Sequence, residues 1–395
     1  MSPTEFAFVI DTFFILFAAT LIILMAPGFA MLEAGLIRTK NVVTVLTGNV
    51  LLYAVTSFVF LLWGFQLMFN GGGFLLGGVE DAGFSHYALF FFQMAFVSKT
   101  VSIISGGVSE RIRILPFMMF AVLMSGLIYP LVGSWTWGGG FLKEMHDLAG
   151  STVIHSVGGW ALLAGILILG PRMGKYTKDG KVRAIPASNI PLVTLGAFLL
   201  WIGWFGFNGG SVLTIASEDS ASLVAKVIVN TNTAGLTGAL MAAALMQFIY
   251  RKLDITMILN GALGGLVAIT AGADVVGLWE PMVIGAIGGA LVVLAVPFFD
   301  RIKIDDPVGA LSVHLVNGIW GTLAVALFAP EFSFWAQLKG VLVVGVFAFG
   351  VSLIGFWAIR RFVGLRASEE KEYEGLDIRE CGVESYPEFV KSKTL

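Results

Sequence analysis

Two segments of this chain place a histidine eight positions after an acid. One runs from Asp147 to His155 and the other from Asp306 to His314, and both lie at the start of apolar runs. Eight residues of α-helix rise about 12 Å, so each imidazole would lie more than two turns inside whatever its segment enters. The chain has only 4 His. If these segments span a membrane, ionisable groups at such depth usually mark a pathway, so the pair is a candidate for proton or amine chemistry.

The chemistry available to His155 and His314 depends on whether the rings touch. In contact, one N–H can donate to the bare nitrogen of the other ring, which fixes both tautomers. Such a pair can hydrogen-bond a small amine or accept its proton in a dry passage, where a bare cation is strongly disfavoured. The alternative for either ring alone is a buried packing residue. We interpret Asp147 and Asp306 as helix caps that bind backbone N–H groups, with direct ion contact as the alternative.

Metal and cofactor chemistry is not indicated. Cys381 is the single cysteine and lies in the polar C-terminal segment. No third His or carboxylate stands at ligand spacing from the histidine pair. We therefore predict no metal site and no cofactor, and no enzyme activity, because no nucleophile–base constellation faces a plausible cavity.

Aromatic residues gather at three helix ends that are predicted to lie on one side. Phe92 and Phe96 begin one apolar run, Trp137 closes the next, and the run Trp204 to Ser211 closes another. Aromatic faces attract a desolvated cation by about 2 kcal/mol, and the Ser211 hydroxyl can accept one of its N–H bonds. The alternative is an interfacial aromatic belt that anchors helix ends.

The elements that must position these side chains are membrane helices. Hydrophobic residues make up 57% of the chain and charged residues 13%, in repeated apolar runs of spanning length. This composition predicts an all-α polytopic membrane protein. No basic cluster is interleaved with aromatics, so nucleic acid is not an expected partner. The first run lacks a basic flank and a small-residue cleavage site, so we interpret it as a retained span.

The pattern predicts eleven spans. Their approximate bounds are 8–35, 42–69, 87–108, 113–136, 151–170, 190–208, 222–249, 256–272, 278–299, 307–329 and 334–362. Lys and Arg concentrate in alternate loops and in the C-terminal segment, which the positive-inside rule makes cytoplasmic. The N-terminus is then outside and the C-terminus inside. We predict a membrane domain over 1–363 and a cytoplasmic tail over 364–395.

This topology makes the two Asp-to-His segments antiparallel. Span five enters from outside and span ten from inside, as expected if spans one to five and six to ten form an inverted repeat, with span eleven left over. Such repeats place the substrate path near the midplane. Glycine runs such as 261–265 and 285–289 would let helices approach closely, with tuning of helix bends as the alternative.

Further segments, taken with the Asp-to-His pair, carry a family resemblance. They are Phe92-x3-Phe96, Ser109-Glu110-Arg111, Trp137-Gly-Gly-Gly, Trp204-x-Gly-Phe-Asn-x-Gly-Ser211, Glu33-Ala-Gly-Leu-x-Arg38-x-Lys-Asn41 and Gly375-Leu-Asp. In this order and over essentially the whole chain, the sequence resembles the ammonium transporter family (Amt/Mep/Rh). The resemblance implies an eleven-helix protomer with an inverted repeat, assembled as a homotrimer with one pore per subunit. It implies transport of ammonium or methylammonium across the cell (inner) membrane.

The resemblance also implies roles at matching positions on the outer side. Phe96, Trp137 and Ser211 would form the outer ammonium recruitment site, with Phe92 beside it. Phe96 and Phe207 would stack as the gate below. Rings and a hydroxyl would replace part of the water shell of ammonium and discriminate against ions that cannot donate hydrogen bonds.

Below the gate, His155 and His314 would be the twin histidines of the hydrophobic pore, with Asp147 a supporting acid. Ammonium would give up its proton near the gate or pass it along the pair, and we hypothesise that the pair relays the proton. A second hypothesis is a sensor, a membrane domain that binds ammonium and signals through a cytoplasmic partner or a fused module. A third is a water or neutral-gas channel, in which the pair would not matter.

Two features depart from the family pattern. Lys99 lies near mid-membrane in span three, three positions after Phe96 and so on nearly the same face. It is either a snorkelling residue at a subunit seam or a built-in ammonium group that occupies or repels the pore. In the tail, Cys381 stands where relatives have His in the segment that works with a GlnK-type (PII) regulator. The alternative for the tail is a short solvated segment.

Overall fold

The computed structural model describes residues 2–69 and 71–389, and its helices follow the apolar runs. Within these residues, ten helices are long and apolar enough to cross a membrane, and one further apolar helix is shorter. In chain order the eleven are α1 Pro3–Leu36, α2 Thr39–Phe69, α3 His86–Val108, α4 Ile114–Trp135, α5 Ser151–Leu169, α6 Ile190–Gly210, α7 Glu218–Tyr250, α8 Ile255–Ile269, α9 Glu280–Arg301, α10 Leu311–Phe328 and α11 Phe334–Phe362. The part of the chain that is described has no strand. The prediction of an all-α membrane protein is confirmed.

Helix ends differ from the predicted bounds where local hydrogen bonds decide them. Helix α1 begins five residues earlier than predicted, because Ser2 and Glu5 form a reciprocal capping box ahead of the apolar run. Helix α8 ends at Ile269 instead of 272, because the next carbonyls bind another segment. The carbonyls of Thr270 and Ala271 accept the N–H groups of Ala149 and Leu148. At 15 residues, α8 is the shorter apolar helix, so its span stays a prediction.

Helix α8 shows how the two histidine segments are arranged. The segment before α5 binds the C-terminal end of α8, where the Leu148 N–H donates to the Ala271 carbonyl at 3.0 Å. The segment before α10 binds the other half of α8, where Asn260 Nδ2 donates to the Val308 carbonyl at 3.0 Å. Asn260 lies nine residues before the last residue of α8, a rise of roughly 14 Å, and Ala271 follows just beyond that end. The two histidine segments therefore bind α8 at different heights, as expected for helices that enter from opposite sides.

Close helix packing in the second half of the bundle depends on missing side chains. A Cβ on Gly265 of α8 would lie 2.2 Å from the Ala234 carbonyl oxygen of α7, and one on Gly289 of α9 would lie 2.1 Å from that of Gly238. Any larger residue at either position would push two backbones apart. The glycine runs at 261–265 and 285–289 therefore do bring helices together, as predicted.

An ion-pair network joins the loops on the predicted inner side. Glu110 is fully buried and accepts hydrogen bonds from Arg38, from Asn41 at 3.0 Å and from Arg172 at 2.5 Å. Arg172 also binds both carboxylate oxygens of Asp305 at 2.9 Å. Burial alone would raise the pKa of Glu110, but the guanidinium groups of Arg172 and Arg38 outweigh it and hold that pKa below its usual value.

Residues 364–389 pack against this network. The tail contains a short helix, α12 (Glu369–Glu374). Asp377 then accepts the N–H groups of Val43 and Thr44 at 3.0 and 2.8 Å, and so caps the start of α2. Asn41 accepts the Leu376 N–H at 2.9 Å. The interpretation of these residues as a short solvated tail is wrong, because their carboxylates satisfy backbone groups of the membrane domain. Residues 390–395 of the predicted tail lie outside the described residues, and the division at 363 stays a prediction.

Candidate functional site

His155 and His314 meet in the interior of the bundle. Their Nδ1 atoms lie 3.1 Å apart and their rings stack with centroids at 5.1 Å. The residues are 2% and 5% exposed, so bulk water does not reach the pair. A nitrogen–nitrogen distance of 3.1 Å requires one shared hydrogen, with one ring as donor and the other as acceptor. The two imidazoles can therefore hold a proton between them and exchange roles when a proton enters.

Each histidine lies in a single widened helical turn at the start of its helix, Ser151–Ser156 in one case and Leu311–Val316 in the other. Turns of this kind are rare and occur frequently at functional sites. The residue before the first is Gly150 with φ of 101°, and Gly309 in the second segment has φ of 78°. The two segments with the same Asp-to-His spacing therefore also share a local backbone structure.

The acids of the two segments cap these turns. The Asp147 carboxylate accepts four N–H groups, those of residues 150 to 153, at 2.7 to 3.0 Å. Asp306 accepts those of Val308, Gly309 and Leu311 at 2.7 to 3.2 Å. Burial raises the pKa of Asp147, while the backbone donors oppose that shift. In both cases the acid satisfies the orphan donors that a helix start leaves unpaired.

Aromatic rings form a column above the histidine pair. The ring centroid of Phe207 lies 5.4 Å from that of His155, and the ring centroid of Phe96 lies 4.4 Å from that of Phe207. Trp204 stacks on His155 at 5.2 Å and donates its Nε1–H to Thr270 at 2.9 Å. We assigned no role to Trp204 from the sequence. Its position three residues before Phe207, on the same helix face, is the signal that could have found it.

An open cavity of about 330 Å³ lies on the other side of the ring column. Phe92, Phe96, Trp137 and Ser211 all line it, so the structure brings the four predicted recruitment residues together. The ring centroid of Phe96 lies 4.6 Å from that of Phe92 and 6.1 Å from that of Trp137. The cavity presents ring faces and one hydroxyl, which suits a small cation that can donate hydrogen bonds.

Lys99 is not among the residues that line this cavity. Its Nζ lies 5.7 Å from the ring centre of Tyr53 on α2, and it is 2% exposed. Glu33 on α1 is also buried, and it lines a small cavity together with His314. Sequence reasoning quoted Glu33 only as part of a motif, and its place beside the pore follows from the tertiary structure. In the described residues, no group of three or more His, Cys, Asp or Glu side chains is arranged to hold a metal ion.

Comparisons with known proteins identify the family. The sequence profile of the Ammonium Transporter Family matches residues 13–386. The chain belongs to the ammonium transporter family. Within the family, the ammonium transporter Amt2 of Archaeoglobus fulgidus is 37% identical over 426 residues, covering 98% of this chain and 90% of that protein. A putative ammonium transporter of Synechocystis is 38% identical over 399 residues, covering 96% of this chain and 90% of that protein.

Solved structures of the family share the whole fold. A protein described as a Sensor Amt Protein superposes with a TM-score of 0.91 at 34% identity, covering 95% of this chain and 99% of that chain. Mep2 of Saccharomyces cerevisiae superposes with a TM-score of 0.85 at 25% identity, covering 94% of this chain and 92% of that chain. The likeness to family members therefore extends over the ring column, the histidine pair and most of the tail.

Proposed function

We propose that this protein transports ammonium across a membrane through a pore that contains the histidine pair. The single observation that carries the proposal is the 3.1 Å contact between Nδ1 of His155 and Nδ1 of His314. Two imidazoles in hydrogen-bond contact, reached only past a ring column, suit a species that can exchange a proton. The relatives named as ammonium transporters support ammonium, with methylammonium as its close analogue.

Recruitment would take place in the open cavity. Phe96 and Trp137 present ring faces that attract a cation as it loses water. Ser211 donates its own hydrogen to the Phe207 carbonyl at 2.8 Å, so its oxygen lone pairs are left to accept an N–H from the ion. Alkali cations have no N–H to donate, and this requirement would discriminate against them.

Passage would then separate the proton from the nitrogen. Phe96 and Phe207 close the column, and the small cavity at His314 is lined mostly by apolar side chains, with Glu33, Ser102 and Asn260 as its other polar residues. A whole ammonium ion loses its hydration there, whereas neutral ammonia crosses an apolar passage at much lower cost. The histidine pair accepts the proton on one ring and releases it from the other, and thus relays it along the same route.

The test is the current that an ammonium jump produces in proteoliposomes. We expect the wild type to carry current and His155→Ala to lose it by about 100-fold, the usual contribution of a positioned proton-transfer group. The matched control is His86→Ala, since His86 is the first residue of α3 and binds Asp81 in the loop before that helix. An undiminished current in His155→Ala would remove the relay from the mechanism.

A second candidate function is that of an ammonium sensor. It is favoured by the 0.91 TM-score to the Sensor Amt Protein and by the buried Lys99, a departure from the family pattern. A sensor would bind ammonium in the outer cavity with little conduction and would signal through a cytoplasmic partner or fused module. Calorimetric binding of ammonium without a current in the same preparation would favour it, and Lys99→Thr would then be expected to raise the current.

The setting of the pore is part of the proposal. We expect the cavity side to face the cell exterior, with the N-terminus outside and the C-terminus in the cytoplasm, in the cell (inner) membrane. We expect a homotrimer with one pore per subunit, and a GlnK-type (PII) regulator at the cytoplasmic face. Protease accessibility in oriented vesicles tests the orientation, and native mass spectrometry tests the homotrimer.

A further inference from the structure

Two ionisable side chains, one acidic and one basic, lie buried inside the membrane-spanning bundle without an ion-pair partner. Glu33 on α1 is 1% exposed and Lys99 on α3 is 2% exposed. Among the described residues, neither makes an ion pair within 4.0 Å, and Lys99 Nζ has no hydrogen-bond partner. The two groups attract one another at longer range. Ionisable groups at this depth are costly and usually functional, and the transport steps described above use neither side chain, although Glu33 lines a cavity with His314.

Glu33 is held in place by neutral donors. Ser105 on α3 donates to one carboxylate oxygen at 2.5 Å, and Asn49 on α2 donates to the other at 2.9 Å. The backbone N–H of Gly106 is a third donor, so three donors share the two carboxylate oxygens and at least one lone pair stays free. Lys99 lies six residues before Ser105 on α3, and its Nζ makes no hydrogen bond to the carboxylate.

Two small cavities meet at Glu33. The first, about 20 Å³, is lined by Glu33 and His314 together with polar Ser102 and Asn260. The second, about 30 Å³, is lined by Glu33, Ser109 and Glu110 and so reaches the ion-pair network on the predicted inner side. A volume of about 15 Å³ suffices for one water molecule, provided that polar partners are present. Water in these cavities would connect the histidine pair to Glu33 and Glu33 to the inner side.

We propose that Glu33, with Lys99 as its counter-charge, is a proton-accepting site that receives the proton of recruited ammonium from the histidine pair and passes it to the predicted inner side. The inference rests on the proposed function and adds a second exit to it. Ammonium loses one proton to the pair, the pair protonates the Glu33 carboxylate, and the carboxylic acid then releases the proton to water near Glu110. Nitrogen leaves as ammonia, so the two products recombine as ammonium outside the protein.

The exit for ammonia is a different space. A cavity of about 150 Å³ opens on the predicted inner side and is lined by Asn260, Asp306 and Ser312 among others, and Glu33 does not line it. It is several times larger than either cavity at Glu33. An ammonia molecule needs the wider cavity to pass, whereas a proton needs only a chain of hydrogen-bonded groups. The geometry therefore provides one route for ammonia and another for the proton.

The experiment measures charge and ammonia separately in proteoliposomes given an ammonium jump. Current on a supported membrane reports proton-coupled flux, and an enclosed pH dye reports the alkalinisation that neutral ammonia causes. We expect Glu33→Gln to lower the current by about 100-fold, the scale of a lost proton-transfer group, and to alkalinise the lumen, because ammonia that enters without its proton takes one from the lumen. Glu33→Asp should restore part of the current, because it keeps the carboxylate.

Lys99 supplies a matched pair of variants. Lys99→Gln should lower the current, since Glu33 without its counter-charge holds its proton, and the double variant should be no worse than Glu33→Gln alone. Lys339→Gln is the control. Lys339 Nζ also lies over an aromatic ring, 5.9 Å from the ring centroid of Phe141, but Lys339 is exposed at the predicted outer end of α11. The current of Lys339→Gln should therefore equal that of the wild type.

The outcomes that overturn the proposal are distinct from those that overturn transport. Full current in Glu33→Gln excludes Glu33 as the proton site, and so does loss of current without alkalinisation in a variant that elutes and melts like the wild type. If Glu33→Gln does not assemble, Glu33→Asp and Lys99→Gln decide, and wild-type current in Lys99→Gln counts against the pair. A wild type that alkalinises without current excludes the proton route and keeps the pore. A wild type with neither signal excludes the proposed function itself.

Discussion

The hydroxyl of Ser211 has the geometry that the proposed recruitment of ammonium needs. Its hydrogen is committed to the Phe207 carbonyl, and its oxygen borders the open cavity beside the rings. A group that offers lone pairs and no hydrogen rewards a ligand that donates. The rings attract positive charge without preference between cations, so in the proposed transport we expect this oxygen to contribute to a preference for ammonium.

Ser211→Ala should therefore weaken recruitment and spare the later steps. Loss of one hydrogen bond of about 1 kcal/mol predicts a rise of roughly fivefold in the half-saturating ammonium concentration, with the maximal current little changed. Concentration series of the current measure both. Ser134→Ala is the control, since Ser134 donates to the Leu131 carbonyl at 2.7 Å in the same way but does not line the cavity. Equal half-saturation in Ser211→Ala and the wild type would contradict this assignment.

At the scale of elements, the start of α5 combines a glycine, a carboxylate and a widened turn. Gly150 has φ of 101°, which L side chains rarely adopt, and a Cβ there would lie 2.6 Å from Ile154. The turn that follows aims His155 at its partner. The geometry of the pair is thus fixed by backbone several residues away from the ring.

Gly150→Ala should destabilise the protein by about 3 kcal/mol, because strain from the left-handed backbone adds to the clash. The melting temperature in detergent measures the loss. Gly139→Ala is the matched control, since Gly139 also has positive φ, at 77°, but nothing lies within 4 Å of its added Cβ. It should lose about 1 kcal/mol from backbone strain alone. Equal losses in the two variants would show that packing against Ile154 is unimportant.

The loop before α5 carries a pH-dependent contact. His146 Nε2 lies 3.0 Å from Asp274 Oδ1. Burial lowers the pKa of His146, but the hydrogen bond and charge of Asp274 outweigh it and hold that pKa above its usual 6.5. The stabilisation from this pair is then fully present below pH 6.5 and is lost as the pH rises through the raised pKa.

His146→Gln should consequently lower the melting temperature in mildly acidic buffer, and should lower it less in alkaline buffer. Melting curves of variant and wild type between about pH 5 and pH 9 measure the difference. Asp274→Asn should remove the same pH dependence, because it removes the charge that raises the pKa. A difference between variant and wild type that is constant across pH would contradict the ion pair.

At the scale of the whole molecule, the tail packs on the surface of the membrane domain that is predicted to face inward. Asp377 caps α2, and Glu372 accepts the Met173 N–H at 2.6 Å in the loop after α5. Arg366 binds both Glu372 and the Leu169 carbonyl, at 2.7 and 2.8 Å. The tail therefore connects loops from both ends of the first repeat, close to Glu110.

Asp377→Asn should loosen the tail. Loss of a charged cap predicts about tenfold faster trypsin cleavage after Lys371 or Arg379, because local opening becomes easier. Time courses on purified protein followed by mass spectrometry measure the rate. Glu374→Gln is the control, since Glu374 pairs with Arg379 within the exposed tail and not with the membrane domain. Equal cleavage of Asp377→Asn and the wild type would show that this cap does not hold the tail.

The sequence by itself determined the class, the order of spans and the identity of the paired histidines. Apolar runs of spanning length leave few alternatives to helices in a membrane, and the repeated Asp-to-His spacing fixes which residues sit at equal depth from opposite sides. Residue types also predicted the cavity, because rings and one hydroxyl recur at helix ends that the topology places on one side. Helix ends such as those of α1 and α8 were misplaced where caps or long-range hydrogen bonds decided them.

Only the tertiary structure decided the rest, because the local sequence pattern does not determine the distance between residues on different helices. The 3.1 Å contact between His155 and His314, the stacking of Trp204 and the docking of Asp377 each join residues from different helices or loops. Glu33 illustrates the limit most clearly. In the sequence it is one acid in a loop-proximal motif, and in the fold it is a buried carboxylate between two cavities, opposite a lysine 66 positions away.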